Sequence, residues 1–278
     1  MSDSDGPATE DRGMQEYDPD ATHAFPDEKL NDVLGVLTND PEVVALLDAQ
    51  NVNPVTRKGY NDHGAKHIEI VRNRALRLYD LLKRGGVEFN GAADQGLAEA
   101  DESVIVALAA TLHDIGHVVH RDDHAYWSIP LAADILDRLL PEFYDTADAV
   151  RVKAEVLHAI LCHHTEEQPL TVEAGVIRVA DGLDMERGRS RIPYERGGRG
   201  INTISSQAIE SVTLRDGRDK DEDVPVLVEI RMRNAAGVYQ VDSLLKEKLE
   251  ESMLEEEIRI VAMNVGGDGN QLVERIEL

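Results

Sequence analysis

Of the ten histidines in this 278-residue chain, all but His23 fall between residues 63 and 164, most of them beside apolar residues at helical spacing. A solvated scatter would not cluster in this way. The run Thr111-Leu112-His113-Asp114-Ile115-Gly116-His117 sets a His next to an Asp at the end of an apolar helix. Adjacent side chains on a helix diverge by about 100°, so both can meet one ion only where the helix stops and the ion lies in the crook of its last turn. Asp114 then offers two oxygens, enough to bridge two cations, and His113 offers a neutral imidazole nitrogen. A buried, hydrogen-bonded polar cluster is the competing explanation, but without a cation such a cluster inside helices costs several kcal/mol in desolvation. Cys162 is the single cysteine, which excludes an intramolecular disulfide and a Cys-based zinc finger, so any metal must be held by His, Asp and Glu.

The elements that must position these residues are helical up to about residue 200. Residues 1–26 carry Asp and Glu with few large apolar side chains and read as a disordered acidic tail. A segment from Asp27 to Gln50 is predicted helical with a break at Asn39–Pro41. Ile68, Val71, Ala75, Leu78 and Leu82 recur at three- and four-residue spacing until Gly85–Gly86 ends the run, and His63 and His67 share one face of this helix. Residues 87–101 read as an exposed loop, with Ser103 capping the apolar helix that leads to His113. Further helices are expected from His124 to Pro141 with Pro130 inside, from Thr146 to His163 with Val150 inward, and from Val172 to Asp184. After Gly200 the texture changes. Ser211–Arg215, Val224–Arg233 and Ile258–Val265 read as strands around a helix over Gly237–Ser252. The fold class is therefore mainly α, with a boundary near residue 200 and a small α+β unit over residues 201–278.

Five segments occur in a telling order: His67 in KHIEIVRNRA, the His113–Asp114 pair in LHDIGH, His124 heading HAYWSIPLA, the His163–His164 pair in AILCHH, and Asp181 in RVADGLD. In this order, each on a helix, they resemble the HD superfamily of metal-dependent phosphohydrolases over residues 60–185. The stretch PLTVEAGVIRVADGLDMERGRSRIP with the later AGVYQVDSLLKEKL is similar to an archaeal group in which an HD domain precedes a small α/β domain. The resemblance implies an HD helical domain over residues 27–200. It also implies that His67, His113, Asp114 and Asp181 bind a first metal, and that His124 with one of His163 and His164 binds a second. His63 lies four residues before His67, where some cyclic-dinucleotide phosphodiesterases of the superfamily place a Glu ligand; i,i+4 spacing lets both reach one ion. The Gly-Tyr-Pro signature of that branch is missing, which argues against such a substrate. His117 and His120 read as outer residues or solvent-facing, and His158 has no assigned role.

After Asp181, Arg187, Arg189, Arg191, Arg196 and Arg199 fall within a stretch of thirteen residues. In an otherwise acidic chain they are the strongest local reversal of sign. The guanidinium fork matches phosphate bidentately, so Arg187, Arg189 and Arg191 are candidate substrate-binding residues; surface ion pairs are the alternative. No Walker-type GxxxxGK[ST] occurs.

Fifty-four acidic residues against 29 basic ones give a formal charge of −25, which opposes duplex nucleic acid or an anionic membrane as the main partner. Arg outnumbers Lys by 21 to 8, and the acid excess looks like that of a protein from a high-salt cytoplasm, where self-repulsion is screened. There is no apolar run of membrane-spanning length, and the acidic start is unlike a signal peptide, so a soluble cytoplasmic protein is expected. The combined expectation is a hydrolase of a small nucleotide or other phosphomonoester or phosphodiester. It would use one or two divalent ions (Mn, Fe, Co, Ni, Zn or Mg), with Asp114 at its catalytic centre; a homo-oligomer is compatible with this. A metal-bound sensor or assembly module on the same scaffold, and a di-iron oxidase, are the competing classes.

Overall fold

The computed structural model describes residues 27–58, 62–164, 166–186, 201–220, 222–265 and 275–277; the acidic tail lies outside them. Helix α1 (Glu28–Asn39) starts at Asp27, whose carboxylate accepts from Leu30 N. Asp40 then serves both sides of a sharp break. It ends α1 and caps α2 (Pro41–Ala49) by accepting from Glu42 N and Val43 N, with Pro41 at the first position, where a missing N–H costs nothing. A π-helical turn, Val52–Arg57, leads towards α3 (Ala65–Gly85), which stops where Gly86 adopts φ 90°.

The expected loop over residues 87–101 is partly structured. It holds a short helix α4 (Asn90–Ala93), and Phe89, Gly91 and Leu97 are buried. Helix α5 (Glu99–Leu112) begins one turn before Ser103. Asp101, not Ser103, satisfies the helix start by accepting from Ala98 N at 3.0 Å, while the Ser103 hydroxyl donates to Ala100 O. Almost every residue of α5 is buried, because it is the central rod: α3, α7 and α8 pack around it. A 3-10 turn, Ile115–Val118, links it to α6 (His124–Leu139), followed by α7 (Thr146–Cys162, capped by Asp145) and α8 (Val172–Leu183, capped by Thr171). Val150, expected inward, is 62% exposed.

The C-terminal unit opens with α9 (Ile201–Ser206) and forms one four-stranded sheet in the order β1 (Ile209–Asp216), β2 (Val226–Met232), β3 (Ile258–Asn264), β4 (Arg275–Glu277). β1–β2 and β3–β4 are antiparallel, while β2–β3 is parallel. A parallel pair needs a crossover, and α10 supplies it as Val238–Gln240, a π-helical Val241–Leu245 and Lys246–Glu250 in succession. β1 and β2 lean on α3, and α10 leans on α8, so one apolar core runs from the helices into the sheet. No helix among the described residues is long and apolar enough to cross a membrane.

Candidate metal centre

At the end of α5 the chain turns instead of continuing as a helix, and the turn is pinned. The Ser128 hydroxyl on α6 accepts from Gly116 N at 2.8 Å and lies 2.7 Å from His113 O and 3.0 Å from His124 O. A Cβ on Gly116 would run into the backbone of His124 and Ser128, so a glycine is what lets the turn sit against α6. This places Asp114, 2% exposed, where the ends of α5, α7 and α8 and the starts of α3 and α6 converge.

The two oxygens of Asp114 face different histidines. Oδ2 lies 2.8 Å from His63 Nδ1, 3.3 Å from His67 Nε2 and 3.6 Å from His113 Nε2. Oδ1 lies 3.2 Å from His124 Nε2, 3.6 Å from His163 Nε2 and 3.5 Å from His117 Nε2. Asp181, on the last turn of α8, brings Oδ1 within 3.4 Å of His67 Nε2 and 4.0 Å of His113 Nε2. Two nests of donors therefore share one carboxylate: His67, His113 and Asp181 on one side, His124 and His163 on the other. In the second, the Nε2 atoms of His124 and His163 are 3.0 Å apart.

Local structure sets which nitrogen each ring presents. His113, His124 and His163 direct Nδ1 at the carbonyl three residues back, Ala110 O at 2.9 Å, Arg121 O at 3.0 Å and Ile160 O at 2.6 Å. A carbonyl can only accept, so Nδ1 carries the proton and the Nε2 lone pair turns inward. His67 Nδ1 is instead held by Asp184 Oδ2 at 2.6 Å, a carboxylate behind a ring that fixes its tautomer and raises its basicity. The backbone of His63 is held instead, its N–H donating to Asn51 Oδ1 at 2.8 Å and its carbonyl accepting from Gln50 Nε2.

Burial decides the charge states. It pushes His163 down to about 3 and His117 to about 2, and lowers His113 as well, so these rings are neutral at pH 7, the form that binds metal. Burial alone would raise Asp114, but the imidazoles around it, His113 first and then His117 and His63, hold its carboxyl well below the ordinary range. The donor set therefore fits a divalent cation. His113 Nε2 and both ring nitrogens of His117 are buried with no hydrogen-bond partner, an arrangement that a bare protein interior penalises; a cation would take up the lone pair of His113 and that of His117. Among the described residues, three groups have ligand atoms mutually within 4.8 Å: His67–His113–Asp114, Asp114–His124–His163 and His63–Asp114–His117.

Most of the residues expected from the sequence thus meet, and at the end of α7 it is His163 that faces Asp114. His164 joins none of these groups; its ring stands edge-on to His124 at 5.4 Å, and burial, with Lys248 next, pushes it down to about 4. His120 is exposed, and His158 lies apart, accepting from Leu170 N at 3.0 Å. His117, which could have faced solvent, is fully buried. The 3-10 turn after Asp114 eclipses residues three apart, so the spacing in HDIGH held that signal. Asp184, three residues after Asp181, carried a similar one. Lys248, whose Nζ is 2.5 Å from Asp181 Oδ2, carried none, because it belongs to the other unit. Arg187, Arg189 and Arg191 lie outside the described residues.

Comparison with known proteins agrees with this geometry. An uncharacterized protein of Methanocaldococcus jannaschii is 38% identical over 242 residues, which is 84% of this chain and 92% of that one. Ribonuclease Y of Thermoanaerobacter pseudethanolicus is 28% identical over 159 residues, 57% of this chain but 25% of the relative. Ribonuclease Y of Desulforudis audaxviator is 35% identical over 92 residues, 33% of this chain and 15% of the relative. Residues 65–186, which include every cluster residue named above except His63, match the HD domain, and the chain belongs to the HD domain family.

Proposed function

We propose that this chain is a metal-dependent hydrolase of a small phosphate ester. The observation that carries the reading is the division of Asp114: each oxygen faces its own set of inward imidazole nitrogens, as a carboxylate bridging two ions requires. In this reading His67, His113, Asp114 and Asp181 hold one ion, and Asp114, His124 and His163 hold the other. His63 and His117 flank the bridge. When bound, such ions would supply Lewis-acid polarisation of a phosphoryl oxygen and would make a water acidic enough to serve as nucleophile near neutral pH. The chain's own part is to keep Asp114 ionised, to hold the imidazoles neutral and in one tautomer, and to exclude bulk water from the cluster. A donor set rich in imidazole suits Mn, Fe, Co, Ni or Zn better than Mg.

The name of the ribonuclease Y relatives supports a phosphodiester over a phosphomonoester. The charge of −25 weighs against a long polyanion, so a short or mononucleotide ester is the better substrate class. Arg187, Arg189 and Arg191 are proposed to bind its phosphate. Purified protein loaded in turn with Mn²⁺, Fe²⁺, Co²⁺, Ni²⁺, Zn²⁺ and Mg²⁺ should turn over members of a panel of nucleotides and small phosphate esters in multimolar KCl. A chelator should abolish the activity. Full metal occupancy with no turnover on the panel would favour a sensor or assembly module, and oxygen consumption by the reduced iron form would favour an oxidase; either result overturns the hydrolase reading.

A further inference from the structure

Helix α10 of the C-terminal unit comes unusually close to α8, and α8 is built for the approach. Gly175 and Gly182 are two turns apart and share a face. A Cβ on Gly182 would stand 2.9 Å from Lys248 Cδ and 3.3 Å from Leu245 Cδ1, and one on Gly175 would run into the carbonyl of Ser252. Between them the buried Arg178 pairs with Glu251 at 2.6 Å. The stem of Lys248 therefore lies over Gly182, the residue next to Asp181. Its ammonium ends 2.5 Å from Asp181 Oδ2 and 3.1 Å from His163 O, with the side chain only 14% exposed.

An ammonium has three N–H groups, and these two contacts use two of them. Asp181 turns its other oxygen toward His67 Nε2. One carboxylate thus serves the ammonium on one side and the cation position on the other, and among the described residues the ammonium has no carboxylate to itself. An anionic oxygen beside Lys248 completes the arrangement. We propose that Lys248, delivered by the C-terminal unit, binds a phosphate oxygen of the substrate with its third N–H, so that this unit completes the active site. The proposal rests on the phosphoester reading above. It also fixes a sign for the metal: removing the ammonium leaves Asp181 more available to a cation, so metal affinity holds or rises while phosphate affinity falls. A lysine that merely oriented Asp181 for the metal would lose metal instead.

The test uses the full-length protein loaded with Mn²⁺ and inorganic phosphate as the probe, titrated by calorimetry, with metal content measured on the same samples. Lys248→Met should keep its metal and bind phosphate at least about tenfold more weakly, equivalent to about 1.4 kcal/mol. Lys248→Arg should fall between, and Glu251→Gln, which breaks the neighbouring Arg178 pair in the same interface, should bind phosphate as the wild type does. Lys248→Gln keeps most of the stem and decides the matter if the Met variant does not fold. Phosphate binding by Lys248→Met within about twofold of wild type, loss of its metal, or a wild type that holds metal without binding phosphate overturns the proposal. A wild type that holds no metal, like Asp114→Ala, overturns the phosphoester reading and this proposal with it, and the metal analysis tells that failure from the others.

Discussion

Helix α5 has a buried polar cluster at each end, and the two are built on opposite principles. At its N-terminal end Asp101 and Glu102, 3% and 1% exposed, are each met by a cation and a phenol. Lys29 Nζ lies 2.6 Å and Tyr144 Oη 2.9 Å from Asp101, and Lys83 Nζ lies 2.9 Å and Tyr79 Oη 3.5 Å from Glu102. At the C-terminal end Asp114 is met by imidazoles, several of which burial holds neutral, and some of their inward nitrogens have no hydrogen-bond partner. The first cluster carries its own counter-charges and is complete as folded. The second is a set of ligands facing one carboxylate, and its balance calls for a cation from outside. Burial of polar groups is therefore not what marks the functional end of the helix; the identity of the partners is.

The sharpest way to break this contrast is to remove one charged group from each end. Asp114→Ala should lose metal and lower hydrolysis by at least roughly 1000-fold, about 4 kcal/mol of barrier, while circular dichroism shows the helices retained, since no apolar packing is removed. Full metal content in this variant would sink the assignment. At the other end, Lys83→Met leaves Glu102 buried without its cation and should cost about 3 kcal/mol of stability, read as a lower midpoint in denaturant with metal content unchanged. The pH dependence has a definite sign. Burial, opposed by Lys83, already raises Glu102 above its ordinary value, so the folded state binds the proton more tightly than the unfolded chain does. Stability attached to this group is present in acid, and it declines as pH rises from the unfolded value through the folded one. Lys83→Met extends that window upward, so its deficit should shrink when the denaturation is repeated near pH 5.

Smaller effects sharpen the picture within the histidines. His124→Ala should lower metal content from two ions to about one per chain, because it strips the Oδ1 side of Asp114 and leaves His67, His113 and Asp181 on the other. An unchanged ratio would remove His124 from the ligand set. The smallest effect belongs to His158→Ala. That ring accepts from Leu170 N at 3.0 Å, away from Asp114. Its loss should cost about 1 kcal/mol or less of stability, with metal content and activity as in the wild type.

The helices were legible because their causes are local. Apolar spacing, the Asp40–Pro41 break and Gly86 act within a turn or two of chain, and they predict α1, α2, α3, α7 and α8 closely. Errors arose where a neighbour distant in sequence decided the outcome. Residues 87–101 look polar and loop-like, yet Glu173 on α8 accepts from Asn90 N and Gly91 N and draws that segment inward. Strand β4 has only three residues and pairs with β3, so no period could reveal it. The same division runs through the candidate site. The HDIGH turn and the order of the five motifs were enough to single out His67, His113, Asp114, His124 and Asp181 as candidates, because residue type and motif order are properties of the chain itself, and the fold brings them together around Asp114. Two things lay beyond that information: which of His163 and His164 turns inward, and that Lys248 reaches Asp181 across sixty-seven residues. Each depends on the packing of α6, α7 and α10 around α5 and α8, since the direction of a side chain at a helix end is set by the neighbouring element that it must fit.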